Sequence, residues 1–279
     1  MTARPYTFVF ALVACVVAGS PAAGAQSWYQ NFRSRNAAMA DVQPTWMGPL
    51  IQSDARLGQA AKVSVSNASV NGALVTSYGN NHGVSLLGGR RFQFDFNPPS
   101  YFHASSPAVA DGFGNASTQV KYRIASGNAQ RGNYALSAAL CRSFGGGYGQ
   151  NGMLTDAYFP KLLAGKAWGR FVVQSALNGV LPTGKIAAQG RAIEWNTTAQ
   201  LHAGAHAYFD IEDNVTWFAR GPDDGLTQNF VTPAGFVLVR RKGWEPTHAT
   251  LAFDAGIQIA TSSFHLYNHN IVSEMRILF

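Results

Sequence analysis

One stretch near the end of the chain constrains the fold more than any other. From Thr250 to Ile259, Leu251, Phe253, Ala255, Ile257 and Ile259 alternate with Thr250, Ala252, Asp254, Gly256 and Gln258. Successive strand side chains point to opposite faces, so this stretch has one apolar face and one polar or small face. Residues 193–202 repeat the pattern, with Ile193, Trp195, Thr197, Ala199 and Leu201 opposing Glu194, Asn196, Thr198, Gln200 and His202. Phe92, Phe94 and Phe96 alternate with Arg91, Gln93 and Asp95, and residues 120–124, 134–141, 171–181, 208–218 and 230–240 follow in the same manner. These segments are roughly 9–13 residues long, the length at which a tilted strand crosses a hydrocarbon core. Strands in soluble domains more often run to about 5–6 residues. Helical periodicity is absent throughout.

Composition agrees with strands that face lipid on one side. Only 13% of the 279 residues are charged, against about 25% in soluble domains. No apolar run of ~20 residues follows the N-terminal region, so no transmembrane helix is available. The last strand, from His269 to Phe279, places Ile271, Met275, Ile277 and Phe279 on one face and Asn270, Glu274 and Arg276 on the other. An apolar-out, charged-in closing strand is what a transmembrane β-barrel requires. Its terminal aromatic residue resembles the assembly signal of bacterial outer-membrane barrels. The resemblance assigns that role to Ile271, Met275, Ile277 and Phe279, and makes the barrel-assembly machinery a partner.

The expected fold is therefore all-β: a transmembrane antiparallel barrel of 10–12 strands, with short turns at one end and longer loops at the other. Residues 1–25 read as an export signal, with Arg4, an apolar core from Phe8 to Ala18, and small residues before Gln26. A lipobox ending at Cys15 is the competing reading. Residues 26–60 contain Pro44 and Pro49, carry no clear period, and form a periplasmic lead-in or partial plug. Residues 61–279 form the barrel. Connections near Gly204, Trp168, Gly243 and residues 127–132 are expected at the periplasmic end. Those at 98–114, 144–160, 182–190, 221–225 and near Phe264 are expected outside. Asp213 interrupts an otherwise apolar face, which suggests a bulge or a position near the rim. Aromatic residues at 168, 195, 208, 217 and 244 suit interfacial girdles.

The formal charge is +7, and removing Arg4 with the leader leaves +6. No dense Lys/Arg run occurs, so nucleic acid is not an expected partner. The bilayer, its lipopolysaccharide and a small solute are. With Cys15 in the leader, Cys141 is alone and no intramolecular disulfide is expected. His202 and His206, like His265 and His269, are four apart, but not on a helix, and no Cys cluster or His-Glu-x-x-His accompanies them. Neither a metal nor a cofactor is expected. Ser262, Ser263 and His265 lie too close in sequence to converge as a catalytic pair, so no enzyme is expected. The inward polar set comprises Lys121, Arg123, Glu194, Asn196, Gln200, His202, Asp254, Gln258, Glu274 and Arg276. It would line a water-filled lumen, or pair across strands to fill a narrow one.

Three stretches together carry a family resemblance: Asp111-Gly112-Phe113-Gly114-Asn115 running into Val120-Lys121-Tyr122-Arg123, Leu181-Pro182-Thr183-Gly184, and Phe264 to Asn270. They resemble a family of bacterial outer-membrane proteins labelled, by inference only, as transporters. More distantly, the chain is similar to barrels associated with phenol-degradation pathways. The resemblance implies about 12 strands and a route for small solutes, including hydrophobic or aromatic ones. It carries no catalytic residue. The alternatives are an adhesive or structural barrel with a filled lumen, and a secreted soluble β-sandwich.

Overall fold

The computed structural model describes residues 23–70, 72–79, 82–106, 111–145, 151–239 and 249–279. An eighteen-residue helix, α1 (Ala23–Ala40), precedes fifteen strands. The strands are β1 (Ala60–Val70), β2 (Ala73–Tyr78), β3 (Gly83–Leu87), β4 (Phe92–Asn97), β5 (Tyr101–Ala104), β6 (Gly112–Phe113), β7 (Ser117–Gly127) and β8 (Tyr134–Ser143). They continue as β9 (Ala157–Trp168), β10 (Phe171–Pro182), β11 (Arg191–His202), β12 (Ala207–Ala219), β13 (Thr227–Val239), β14 (Thr250–Ala260) and β15 (His269–Leu278). Each pairs antiparallel with its neighbours, and β1 closes the sheet on β15 from Ala60↔Leu278 to Ala68↔Asn270.

The fifteen strands make a closed barrel of 12 staves. β2 and β3 are successive halves of the second stave, since both pair with β1. β4 and β5 share the third, and β6 and β7 the fourth. The breaks lie side by side, at Gly79 and His82, at 98–100 and at 114–116. Pro98 and Pro99 have no N–H to give to a ladder. Gly83 permits the tight crossing below them, because a Cβ there would lie 2.2 Å from the Phe96 carbonyl oxygen.

The alternation read from the sequence becomes the inside and outside of the wall. Phe96, Trp195, Phe209 and Ile211 are at least half exposed on the outer surface. Their inward neighbours, among them Gln93, Thr198, Gln200 and Glu212, are buried. A continuous apolar exterior around a polar interior is the solution for a chain immersed in lipid.

Several expectations are corrected. Residues 23–40 form a helix although the lead-in shows no period; the stretch holds five alanines, has no proline, and needs no apolar stripe to coil. Residues 98–114 are more than a loop, because β5 and β6 extend two staves within them. Asp213 sits in unbroken register, opposite Thr197 and Val231, at the middle of β12, so neither a bulge nor the rim explains it. The register shift that does occur lies between Arg123 and Ala125. Tyr208 faces inward, 8% exposed, and belongs to no girdle. Trp244, the turn near Gly243 and residues 1–22 lie outside the described residues.

Candidate functional site

Residues 41–59 run through the barrel interior. Pro44 and Pro49 keep this segment out of regular structure, so its backbone N–H and C=O groups need partners from elsewhere. Inward side chains of the wall supply them. The Glu212 carboxylate on β12 accepts hydrogen bonds from the N–H groups of Leu50 (2.5 Å), Ile51 (3.1 Å) and Gln52 (3.3 Å). Arg276 on β15 donates to the carbonyls of Gly48 (2.8 Å) and Pro49 (2.7 Å). Gln174 donates to the Met47 carbonyl at 2.9 Å, and Gln200 accepts from the Met47 N–H at 3.3 Å. Further along, Lys121 donates to the carbonyls of Asp54 and Arg56, and Ser137 to that of Ala55. Lys161 reaches Ser53, and Gln93 accepts from the Gly58 N–H.

Apolar packing follows the same path. Trp46 is buried against Ala135, Ala139, Leu163 and Ala176; Met47 and Leu50 pack with Tyr208, Phe236, Ala252 and Val272. Small wall residues make the seats. A Cβ at Gly165 would lie 2.7 Å from the Trp46 ring, and one at Gly256 2.9 Å from the Leu50 side chain.

Charge is unevenly spread around this segment. Asp210, Glu212, Asp254 and Glu274 are buried on β12, β14 and β15 with Arg276. Arg276 pairs with Asp254 at 2.6 Å and with Glu274 more closely still. Lys62, Lys121 and Lys161 face inward from β1, β7 and β9. On the segment itself Asp54 pairs with Arg56 at 2.6 Å.

Beside the segment lies a cavity of about 1080 Å³. Its walls include His206, Leu238 and Leu278 at the short-turn end and Val70, Phe102 and Tyr267 at the long-loop end. Most of the remaining wall comes from β1 to β5 and β7, with β14 and β15. Gly79, His82, Pro98 and Ser100 also line it, so the cavity reaches the line of breaks in the wall.

All ten of the polar residues named from sequence lie on inward faces. Their surroundings differ. Lys121, Gln258, Glu274 and Arg276 border the cavity. Lys121, Gln200 and Arg276 also hold the segment, and Arg123 contacts Met39 and Gln43. Asp254 faces Arg276, Glu194 accepts from Asn178, Asn196 pairs with Asn214, and the His202 ring meets Tyr208 edge-on at 4.5 Å. Sequence reasoning missed Glu212, Gln174, Thr198, Ser137 and Lys161. Glu212 was legible by parity, since it shares the inward face of β12 with Asp210 and Asn214.

Ile271, Met275 and Ile277 lie on the outward face of β15, and the Phe279 ring packs against Phe32 of the helix at 5.5 Å. Cys141 is buried and borders the cavity. His265 approaches the carbonyl of Ser262, not its hydroxyl, so these two residues form no nucleophile–base pair. Among the described residues, no group of three or more His, Cys, Asp or Glu is placed to hold a metal.

Known structures share the architecture. An outer-membrane channel from Pseudomonas putida F1 superposes with a TM-score of 0.53 at 13% identity, covering 84% of this chain and 100% of its own. The NanC porin superposes at 0.51 with 8% identity, covering 79% of this chain and 98% of its own. At such identities the likeness is one of fold. No family model matches the sequence, and no curated protein does. The class is thus set by the fold: a 12-stranded transmembrane barrel of the outer-membrane kind.

Proposed function

We propose that the chain is an outer-membrane channel for passive passage of small solutes. The pathway runs beside residues 41–59, and the segment stays in place. One observation carries this reading: a single cavity is bordered by residues from both ends of the barrel. The channel proteins among its structural neighbours support it. The lipid-facing exterior makes the bilayer and its lipopolysaccharide partners. Residues 1–25 would direct export, and Ile271, Met275, Ile277 and Phe279 would serve recognition by the assembly machinery. Refolded residues 26–279 in a planar bilayer should give discrete conductance steps. A protein that migrates on SDS gels as a folded barrel yet stays electrically silent would sink the proposal.

A second reading concerns hydrophobic or aromatic solutes, as the resemblance to phenol-pathway barrels implies. The wall breaks favour it. The β2–β5 ladder ends at Tyr78↔Tyr101 and the β3–β4 ladder begins at Val84↔Phe96, with the two prolines between. Apolar solutes would pass sideways there between lumen and lipid. Proteoliposomes should then speed the transfer of naphthalene from lipid to water, relative to protein-free vesicles. Equal rates would remove this route.

A further inference from the structure

The two ends of the barrel differ in their charges. Among the described residues, the long-loop end carries Arg142, Lys185, Arg191 and Arg220 with Asp111, Asp156, Asp223 and Asp224, so its signs balance. The short-turn end carries Arg35, Arg90, Arg91, Arg131, Lys166 and Arg170 with Asp41 as its one exposed acid. Apart from Arg35, these cations lie on or beside three successive connections, β3–β4, β7–β8 and β9–β10. The connections are tied to their neighbours: the Arg123 N–H donates to the Arg91 carbonyl and the Ala167 N–H to that of Asn133, each at 2.9 Å. The cations therefore form one arc of the rim.

Little in the chain neutralises this arc. Lys166 donates to the Gly132 carbonyl, and Arg91 to the Tyr122 hydroxyl at 3.0 Å, but neither contact is an ion pair. Among the described residues, Arg90, Arg131 and Arg170 meet no carboxylate either. Asp41 lies beside the β7–β8 connection, where Asn128 donates to its carbonyl, yet its carboxylate makes no ion pair. On the membrane side of the arc runs a belt of rings. Phe92 stands opposite Tyr122 with ring centroids 5.1 Å apart, Tyr134 opposite Lys166, and Trp168 opposite Phe171. Phe92, Tyr134, Trp168 and Phe171 are exposed on the outer face. Such rings sit at the headgroup level of a bilayer, which brings the neighbouring cations to the depth of the lipid phosphates. A guanidinium matches a phosphate with two parallel hydrogen bonds, and an anionic leaflet attracts each cation held near it.

We propose that the arc is a binding site for anionic phospholipid in the leaflet at the short-turn end. Arg131, Lys166 and Arg170, on two adjoining connections, hold the headgroup phosphate, and Tyr134 and Trp168 flank the glycerol and the upper acyl chains. The site stands apart from the channel reading, because a barrel that conducts nothing can still carry it.

Native mass spectrometry of the refolded protein, released from phosphatidylcholine nanodiscs that contain a minor share of phosphatidylglycerol, tests this. Phosphatidylglycerol should stay on the protein at least about tenfold more often than its share of the bilayer. The triple variant Arg131→Gln, Lys166→Gln, Arg170→Gln should lose that enrichment. Arg170→Gln alone, on an exposed turn, should lower it roughly two- to fivefold, so the test survives a triple variant that does not fold. Lys185→Gln, Arg191→Gln, Arg220→Gln removes the same charge from the opposite rim and should keep the enrichment. Heat-dependent gel migration checks that each variant is a folded barrel. No enrichment on the wild-type protein, or equal loss in the two triple variants, would overturn the site. Displacement of the lipid by millimolar inorganic phosphate would make free phosphate the ligand and would overturn it as well.

Discussion

The two sides of the lumen solve different problems with the same alternating strands. On the side of β8 to β15, inward residues reach residues 41–59 and hold them. Glu212 takes three backbone N–H groups, Arg276 takes two carbonyls, and Trp46 and Leu50 sit over glycines. On the side of β1 to β5, most inward residues other than Lys62, Gln93, Asp95 and Phe102 are small, the staves are broken, and the interior stays open, with β14 and β15 bordering both regions. A packed interface and a passage differ here mainly in whether an inward position meets the internal segment. The contrast predicts that substitutions on the first side alter stability and segment order, whereas those on the second alter permeation.

Arg276→Met should have the largest effect. It leaves Asp254 and Glu274 without their cation and frees two carbonyls, and breaking a buried pair from one side costs about 3–5 kcal/mol. The midpoint of the heat-dependent gel shift should drop sharply, and the channel should become noisy. Glu212→Gln comes next. Losing a charged acceptor for three amides should cost roughly 1.5–3 kcal/mol. Hydrogen exchange at Leu50, Ile51 and Gln52 should accelerate about 10–100-fold, while the strand amides of β12 change little.

Gly165→Val and Ala68→Val form a matched pair. The first drives a side chain into Trp46 and should destabilise by ~1–3 kcal/mol. The second projects into the cavity and should stay within about 0.5 kcal/mol of wild type, while lowering unitary conductance. If both variants lose stability equally, the contrast between the two sides fails.

The smallest effect is expected at the rim, where Arg142 pairs with Asp156 and the Gly145 N–H donates to the same carboxylate at 2.8 Å. The Arg142 hydrogen bond, then that of Gly145, holds the Asp156 pKa below its ordinary 3.8. A lowered carboxylate pKa contributes order that is fully present above the ordinary value and disappears as pH falls through the lower one. Protease sensitivity at residues 142–145 and 151–156 should stay flat from about pH 8 to about pH 5 and rise only in stronger acid. Asp156→Asn should remove that acid-dependent rise.

Much of this arrangement is legible in the chain itself. Period-2 alternation at 193–202 and 250–259 fixed which residues face lipid and which face inward, because a strand side chain has only those two directions. The end-to-end alternation of short and long connections also follows from the chain. The broken staves did not. Strand halves as short as Gly112–Phe113 are too brief to show a period, and the pairing that extends a stave is a long-range property. The clamp was only half visible. The large–small alternation at 134–141 places Ala135 and Ala139 inward, where they receive Trp46, yet small residues alone do not say what fills the space above them. Glu212 was overlooked beside the more conspicuous Asp213. Asp213 itself, on the outer face at mid-strand, has no physical account in this structure.

The central claim is that solutes pass beside a segment that stays in place. Ala55 of the segment and Ser137 of β8 lie off the cavity, with Ser137 Oγ 2.6 Å from the Ala55 carbonyl oxygen. Cysteines at both positions, in a Cys141→Ser background, can be joined by a short bis-methanethiosulfonate reagent, which forms a reducible disulfide with each thiol and releases methanesulfinate. Single-channel conductance before and after reduction is then the deciding measurement. The account predicts steps of the same size, within about twofold, whether the segment is tethered or free, since the passage lies on the other side of it. A channel that is closed while tethered and opens on reduction would show that the segment itself must leave, and would contradict the account.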